Sequence, residues 1–397
     1  MNARTDLPAL DAIRALDDEM RATRHAIHAN PELGFEEQAT SDLVAERLQR
    51  LGYEVTRGLG GTGVVGQLKR GSGTRRLGLR ADMDALPIHE TTGLPYASNY
   101  AGTMHACGHD GHTAILLAAA EYLATSATFD GTLNLIFQPA EESLGGARKM
   151  MEDGLFDRFP CDAIFAMHNM PGFRQGQLLL REGSAMASSE NILVHIEGKG
   201  GHGAMPHLSA DPVVAGASIV MALQTIVSRN VPPLQMAVIT VGSFQSGVAN
   251  NVIPQNATLK LSVRALDRSV RELLRTRIVE IVELQAQSYG VTAQVEFLPG
   301  YPVLVNTAAE TELAREVAIA LVGADNVVLQ TEPLSGSEDF ACMLEEVPGS
   351  YLFVGNGDVA NGGHGACMVH NPNYDFEDRN IPVGAAFWVQ LTERFLA

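Results

Sequence analysis

The residues with the clearest chemistry lie in one short segment, His105-Ala-Cys-Gly-His-Asp-Gly-His112. The segment carries three histidines, a cysteine and an aspartate within eight residues. Imidazole and thiolate are preferred ligands of borderline divalent metals such as zinc. The small residues Ala106 and Gly108 allow the backbone to bend, so that Cys107 and His109 can point at one ion. The segment therefore predicts a metal-binding loop, and the alternative is a polar loop with a buried cysteine.

A helix is predicted immediately after this loop. Residues 113–124 are rich in alanine and leucine, as expected of a helix that packs closely in a core. A helix N-terminus carries partial positive charge, and this charge favours a deprotonated Cys107.

Acidic and imidazole groups follow three apolar runs that are predicted to be strands. Continuous apolar runs suit strands covered on both faces of a parallel sheet. Open α/β sheets place their ligand crevice at the carboxyl ends of such strands. The groups concerned are Asp82 and Asp84 after residues 77–80, Glu141 and Glu142 after residues 132–138, and His168 after residues 163–167. We therefore expect these groups to meet in one crevice.

The two adjacent glutamates indicate hydrolysis. Side chains of neighbouring residues diverge at a strand end, so one carboxylate can bind a metal while the other faces a substrate. In metal-assisted hydrolysis the ion lowers the pKa of bound water and a nearby carboxylate takes its proton. The alternative is a pair of solvated acids at a helix start. The apolar strand before Gln138 favours the functional interpretation.

Composition limits the class of protein. A chain of 397 residues predicts two to three domains. The net charge of −18 argues against nucleic acid and anionic membranes as partners. We find no signal-peptide pattern and no apolar run that approaches a membrane span. Four scattered cysteines are too few for a disulfide framework. We expect a cytoplasmic protein that acts on a small molecule.

The order of patterns predicts two domains. Helix and strand patterns alternate over residues 1–186 and again over residues 299–397. These two segments are predicted to form one α/β catalytic metal-binding domain, with a mostly parallel sheet flanked by helices. Residues 187–298 follow the order β-α-β-β-α-β, which is that of a ferredoxin-like α+β module inserted into the first domain.

The chain resembles the M20 family of metallopeptidases and amidohydrolases, in the subgroup of hippurate hydrolases and indole-acetyl-amino-acid hydrolases. The resemblance covers essentially the whole chain. Its motifs are HANPEL at 28–33, RADMDALP at 80–87, HACGHD at 105–110, QPAEE at 138–142, MHN at 167–169, the loop 198–207, NVIP at 251–254, SEDF at 337–340 and VH at 369–370.

The resemblance implies a catalytic domain with two divalent metal ions and a smaller domain for dimerisation. Zinc is the first choice of metal, with manganese, cobalt or nickel as alternatives. A homodimer or a dimer of dimers is expected. The residues that resemble the metal ligands are Cys107, His109, Glu142, His168 and His370.

The resemblance also implies catalytic and binding roles. Glu141 resembles the general base, and Asp84 resembles the residue that orients the ligands. His202 resembles a histidine that is lent across the dimer to polarise the scissile carbonyl of the neighbouring active site. Asn251 and Arg264 resemble binders of the substrate's carboxylate or carbonyl.

One departure concerns the early strand. Many M20 enzymes carry His-x-Asp there and a bridging aspartate later, whereas this chain has Asp82-Met-Asp84. Cys107 and His109 take over ligation, as in the amidohydrolase subgroup, and the role of Asp82 stays open.

The expected activity is metal-dependent cleavage of N-acyl amino acids, hippurate-like or N-acetylated, to a carboxylic acid and a free amino acid. A carboxypeptidase or dipeptidase on the same scaffold is the alternative, because the chemistry is identical. An inactive metal-binding module is a third possibility, which the presence of Glu141 disfavours.

Overall fold

The computed structural model describes residues 8–142, 144–361 and 364–397. The helices are α1 (Pro8–Arg14), α2 (Asp17–Ala29), α3 (Gln38–Arg50), α4 (His109–Thr125), α5 (Gly146–Glu152), α6 (Leu155–Arg158), α7 (Pro212–Arg229), α8 (Arg268–Ser288), α9 (Ala308–Val322), α10 (Phe340–Glu346) and α11 (Asn380–Phe395). The first strands are β1 (Glu54–Leu59), β2 (Gly63–Arg70), β3 (Arg76–Asp82), β4 (Gly131–Gln138), β5 (Ala163–Pro171), β6 (Leu178–Leu180), β7 (Gly183–Met186) and β8 (Glu190–Glu197). The remaining strands are β9 (Gly201–His202), β10 (Ala237–Ser246), β11 (Val252–Ile253), β12 (Asn256–Ala265), β13 (Thr292–Phe297), β14 (Leu304–Asn306), β15 (Val327–Leu329) and β16 (Gly349–Gly357).

The chain divides into two compact units. The first comprises the described residues up to Gly183, together with Val305–Glu332 and Cys342–Ala397. The second comprises Ser184–Leu304 and Pro333–Ala341. The predicted inserted domain, residues 187–298, lies within the second unit but leaves out its late segment. That segment joins the second unit because the backbone N–H of Leu334 donates to the carbonyl of Ala185, 2.9 Å away.

The first unit is built on an eight-stranded sheet in the order β1-β2-β4-β3-β5-β16-β6-β15. The pairs β4–β3, β3–β5, β5–β16 and β6–β15 are parallel. The pairs β1–β2, β2–β4 and β16–β6 are antiparallel. The predicted α/β class with a mostly parallel sheet is confirmed, although three of the seven strand pairs are antiparallel. Strand direction at the sheet edge depends on connections that apolar patterns do not reveal.

Small residues bring helices close together in the core of the first unit. Strand β16 is buried along its whole length, which shows that both of its faces are covered. Helix α4 packs on β3 and on α11. A Cβ atom at Gly384 of α11 would lie 2.8 Å from Ile115 of α4, so only glycine permits this approach. The packing fixes the axis of α4, whose first residue is His109.

The second unit has the predicted ferredoxin-like order, β8-α7-β10-β12-α8-β13. Its four-stranded sheet has the order β10-β12-β8-β13, and all three pairings are antiparallel. Helix α7 begins at Pro212, where the side chain of Asp211 accepts hydrogen bonds from the backbone N–H groups of Val213 and Val214. Strands β9 and β11 pair antiparallel and form a separate two-stranded sheet.

Helix α7 corrects one expectation about membranes. Among the described residues it is the one helix long and apolar enough to cross a membrane, by length and composition alone. Its residues Ala215, Ile219, Leu223 and Ile226 are buried in the apolar core of the second unit. The helix is therefore apolar because one face covers a sheet.

Candidate metal centre

The metal-binding loop turns sharply at Gly108. This glycine has φ 96°, and a Cβ there would lie 2.3 Å from Nδ2 of Asn169. Only glycine tolerates both the left-handed conformation and the contact. Helix α4 begins directly at His109 rather than at residue 113 as predicted. The turn places Cys107 and His109 on the same side, with Cys107 Sγ, His109 and His168 offering ligand atoms within 4.8 Å of one another.

Two further segments complete the cluster. Glu141 and Glu142 follow β4, and His370 lies in a loop whose backbone is left-handed at this residue, with φ 64°. The backbone N–H of His370 donates to the carbonyl of Ala106, 2.7 Å away, which ties the late loop to the metal-binding loop. Nε2 of His370 lies 3.0 Å from Oε1 of Glu142. The structure thus brings these predicted residues of the first unit together.

The ligand atoms form overlapping groups, and within each group all ligand atoms lie within 4.8 Å of one another. These groups are Cys107, His109 and His168; Cys107, Glu142 and His370; and His109, Glu141 and Glu142. His168 lies inside β5 rather than after it, and its Nε2 is 3.3 Å from Cys107 Sγ.

The donor set fits a metal ion. Nε2 of His109 is a buried atom without a hydrogen-bond partner among the described residues. A buried polar atom left unpaired costs about 1–3 kcal/mol, and a cation would remove that cost. Nδ1 of His168 donates to the carbonyl of Asn169, 2.6 Å away, so its Nε2 also faces the cluster.

Asp84 lies behind the cluster and bonds two of its members. Its Oδ1 is 3.1 Å from Nδ1 of His109, and its Oδ2 accepts from the backbone N–H of Glu142 at 2.9 Å. This is the geometry of a residue that orients ligands.

The site is strongly negative around its buried histidine and thiol. Burial alone lowers the pKa of His109, but the carboxylates of Asp82, Asp84 and Glu142 raise it to about 10. Burial, followed by the carboxylates of Glu142 and Glu141, raises the pKa of the Cys107 thiol well above its ordinary value. The expectation that the helix N-terminus keeps Cys107 deprotonated is wrong for the metal-free site. Burial and the neighbouring carboxylates both oppose ionisation of the thiol, so a thiolate here needs a cation.

Asp82 forms a separate buried bridge. It lies in the last position of β3, 2.6 Å from Nη1 of Arg80, and its Oδ1 is 2.6 Å from Nδ1 of His112. These bonds engage both oxygens, although Asp82, His109 and His112 also lie close enough to form a ligand group. Burial raises the pKa of Asp82, but His109, Arg80 and His112 lower it well below its usual range. Asp82 is therefore a charged anchor of this network.

Asn169 is a residue of the site whose role was not predicted from the sequence. Its backbone N–H donates to Nε2 of His112 at 3.1 Å, and its side-chain amide donates to the carbonyl of Cys107 at 2.6 Å. Its Oδ1 accepts from the hydroxyl of Tyr374 at 2.6 Å. The residue holds the metal-binding loop from behind. Its position directly after His168 was the available signal, because neighbouring strand residues point to opposite faces.

The three remaining predicted residues lie in the second unit. His202 is exposed in β9 and pairs with Val252 of β11. Asn251 is also exposed, and its backbone carbonyl accepts from the backbone N–H of Gly203 at 2.8 Å. Nδ1 of His202 accepts from the backbone N–H of Ala204 at 3.0 Å, which places the ring proton on Nε2. Arg264 is half-buried on β12.

Arg264 is hydrogen-bonded to the late segment of the second unit, Pro333–Ala341. Its Nη1 donates to Oγ of Ser337, 2.9 Å away. This bond leaves further guanidinium donors for a carboxylate.

A cluster of imidazole, thiol and carboxylate groups around the strand ends of an α/β unit, with a second glutamate beside it, is typical of a metal-dependent hydrolase. A sequence profile of Peptidase family M20/M25/M40 matches residues 78–394, and the chain belongs to this family. It is a hydrolase that acts on amide bonds.

Several relatives match nearly the whole chain. A hippurate hydrolase of Campylobacter jejuni is 45% identical over 96% of this chain and 97% of its own length. An N-acetyl-L-cysteine deacetylase of Bacillus subtilis is 38% identical over 97% of this chain and 90% of its own length. Thermostable carboxypeptidase 2 of Saccharolobus solfataricus is 35% identical over 96% of this chain and 97% of its own length.

A solved structure supports the fold. The Bacillus subtilis YXEP protein, described as a dinuclear metal binding peptidase from the M20 family, superimposes with a TM-score of 0.83. It is 31% identical, and the alignment covers 96% of this chain and 99% of that one.

Proposed function

We propose that this protein is a metal-dependent amidohydrolase that cleaves N-acyl amino acids to a carboxylic acid and a free amino acid. The observation that carries the proposal is the adjacent pair Glu141 and Glu142. A carboxylate oxygen of Glu142 lies within 4.8 Å of ligand atoms of Cys107 and His370. A carboxylate oxygen of Glu141 lies equally close to ligand atoms of His109 and Glu142. The pair supplies one ligand and one general base.

The cluster would hold two divalent ions, with zinc as the first choice because of the thiolate and manganese, cobalt or nickel as alternatives. Cys107 supports a two-ion arrangement, since it belongs both to the group with His109 and His168 and to the group with Glu142 and His370. When bound, such ions activate water and polarise an amide carbonyl.

Glu141 would act as the proton carrier. Its carboxylate takes one proton from water as the water oxygen bonds to the amide carbon. The same proton then passes to the amide nitrogen, and the carbon–nitrogen bond breaks to release the amine. The glutamate returns to its starting state, so the reaction consumes only water.

Residues of the second unit would bind the substrate. The proton on Nε2 of His202 is available to stabilise the developing oxyanion. Arg264 would bind the free carboxylate of the amino acid through its fork of donors, and Asn251 would add an amide contact.

A dimer is proposed on the surface of the second unit. β10 is an edge strand of its sheet, with Val238 and Phe244 exposed, and helix α7 exposes Val214 and Met221. Exposed apolar side chains beside an unpaired strand edge suit association with a second copy. We further propose that His202 serves the active site of the neighbouring copy.

A substrate panel tests the activity. The metal-loaded protein is given hippurate, N-acetyl amino acids and dipeptides, and kcat/KM is measured for each. N-acyl amino acids are expected to exceed dipeptides by at least about tenfold, an advantage of about 1.4 kcal/mol in the transition state. A preference for dipeptides would favour the carboxypeptidase or dipeptidase alternative. Amidating the carboxylate of the N-acyl amino acid should lower its kcat/KM if Arg264 binds that carboxylate.

A cytoplasmic location is proposed from cysteine usage. Cys107, Cys161, Cys342 and Cys367 are all free thiols. Free thiols suit a reducing compartment, and cell fractionation with an antibody against the protein tests the location.

A further inference from the structure

Glu37 is a buried carboxylate that the reaction above does not use. It lies immediately before α3 and has no exposed surface. Its Oε1 accepts from the backbone N–H of Ala140 at 2.8 Å, and its Oε2 accepts from the hydroxyl of Thr62 at 2.5 Å. Ala140 is the residue before Glu141. Glu37 therefore contacts the peptide that leads into the proposed base, although the two glutamates are far apart in the sequence.

Ala140 is in a conformation that alanine avoids. Its φ is 52°, in the left-handed region, which costs an L-residue about 1–2 kcal/mol. Its carbonyl accepts from the backbone N–H of Gly146 at 2.9 Å. Without Glu37, its buried N–H would lose the partner described above. The hydrogen bond to Glu37 thus stabilises the conformation that sets the direction of the chain at Glu141.

Both peptide N–H groups that flank Glu141 are held by buried carboxylates. Glu37 accepts from the N–H of Ala140, and Asp84 accepts from the N–H of Glu142 at 2.9 Å. Asp84 also bonds His109 at 3.1 Å, so it serves the ligands. Of these two flanking N–H groups, Glu37 accepts from the one that precedes Glu141.

The surrounding backbone leaves this turn little room. A Cβ at Gly146 would lie 1.7 Å from the carbonyl oxygen of Pro139, and one at Gly34 would lie 3.0 Å from Cα of Ala140. A Cβ at Gly63 would lie 3.2 Å from Pro139. Glycines on three segments therefore approach the turn closely. Such packing transmits a change at Ala140 to its neighbour instead of absorbing it.

We propose that Glu37 is a positioning residue for the general base: it holds Ala140 in the left-handed conformation and thereby aims the carboxylate of Glu141. This inference rests on the proposed role of Glu141. It differs from a purely structural role of Glu37 at the start of α3, which would affect folding stability without affecting the chemical step.

The main test compares Glu37→Leu with Glu37→Gln in the metal-loaded protein. Leucine has similar volume but no acceptor, whereas glutamine keeps an oxygen for the N–H of Ala140. Burial raises the pKa of Glu37 to about 7, so a neutral side chain is tolerated here. For Glu37→Leu we expect kcat to fall about 10- to 100-fold with KM within about twofold and metal content unchanged, as expected for a misplaced catalytic group. Glu37→Gln should retain kcat within about threefold.

Two further variants isolate the mechanism. Thr62→Val removes the other partner of Glu37 and is the matched control: it should lower the melting temperature but leave kcat near wild type. Ala140→Gly in the Glu37→Leu background should recover part of kcat, because glycine adopts the left-handed conformation without cost. If Glu37→Leu fails to fold, Glu37→Asp decides, since its shorter carboxylate keeps the charge but withdraws from Ala140 and should lower kcat.

The outcomes separate the two proposals. The positioning role would be overturned if Glu37→Leu or Glu37→Asp kept wild-type kcat. It would also be overturned if kcat fell only in proportion to lost metal. Glu141→Gln is measured in parallel. If that variant retains turnover, the base assignment itself fails. If it is inactive while the Glu37 variants are fully active, only the positioning role fails.

Discussion

Nδ1 of His109 lies 3.1 Å from Oδ1 of Asp84, and both side chains are buried. The carboxylate accepts the Nδ1 proton, which leaves Nε2 as the ring nitrogen that faces the cluster. Asp84 thus determines which nitrogen of the imidazole is available to a metal. The same carboxylate also fixes the backbone at Glu142, so one residue aligns ligands from two elements.

Asp84→Ala should therefore weaken metal binding by about 10- to 100-fold, the usual effect of removing a partner of a metal ligand. Competition with a chelator measures the affinity. Asp162→Ala is the control, because this half-exposed aspartate pairs with Arg76 away from the cluster. Unchanged affinity in Asp84→Ala would contradict the orienting role.

Glu141→Gln should keep the metal and the fold but lose at least about 100-fold in kcat, the lower range for removal of a general base. The amide has the shape of the carboxylate but cannot carry the proton. Metal analysis and circular dichroism serve as controls on the same preparation. Near-normal turnover by the metal-loaded variant would rule out the assignment.

Cys107→Ser should lower metal content and activity together, and added metal should restore part of the activity. A hydroxyl is a poorer ligand than a thiolate for zinc. Metal is quantified before and after dialysis, and Cys161→Ser provides the control thiol. An acyl-enzyme trapped on Cys107 would show instead that the residue is a nucleophile.

Metal affinity should rise with pH. Burial lowers the pKa of His109 but neighbouring carboxylates raise it to about 10, and burial with nearby carboxylates raises the pKa of Cys107 well above its ordinary value. Both groups are therefore protonated in the metal-free protein at neutral pH and must lose protons when the ion binds. Each pH unit below the pKa of such a group costs about 1.4 kcal/mol of affinity. Calorimetry in buffers of different ionisation enthalpy measures the protons released, and binding without proton release would contradict this prediction.

Catalysis should need a dimer, with His202 acting on the substrate of the neighbouring copy. His202→Ala should lower kcat far more than it raises KM, because an oxyanion donor matters mainly in the transition state. Inactive Glu141→Gln and inactive His202→Ala are then mixed under conditions of subunit exchange. Mixed dimers would regain one intact site, giving about a quarter of wild-type activity at equal mixing. No recovery despite proven exchange would exclude a shared site.

The sequence was sufficient to predict the features of the site that depend on the spacing of neighbouring residues. Cys107 and His109 stand two residues apart around a glycine, and adjacent glutamates follow an apolar strand. Ligand type and strand or helix period are properties of neighbouring residues, so they can be interpreted without a fold. The same holds for the β-α-β-β-α-β order of the second unit, which the structure confirms.

Contacts between distant segments could be known only from the tertiary structure. Asp82 and Asp84 are both acidic and two residues apart, yet one binds Arg80 and His112 while the other bonds His109. Strand alternation does not say what either side chain meets.

Burial and long-range pairing also decided the electrostatics and the supports of the site. Burial, together with carboxylates from other segments, raises the pKa of the Cys107 thiol well above its ordinary value, so the thiol stays protonated without a cation. Glu37 reaches Ala140 across more than a hundred positions of sequence. Residue type and spacing therefore determined which groups this protein offers a metal, while the tertiary structure decided how they are held, because hydrogen bonds and desolvation depend on distances between segments that are remote in the chain.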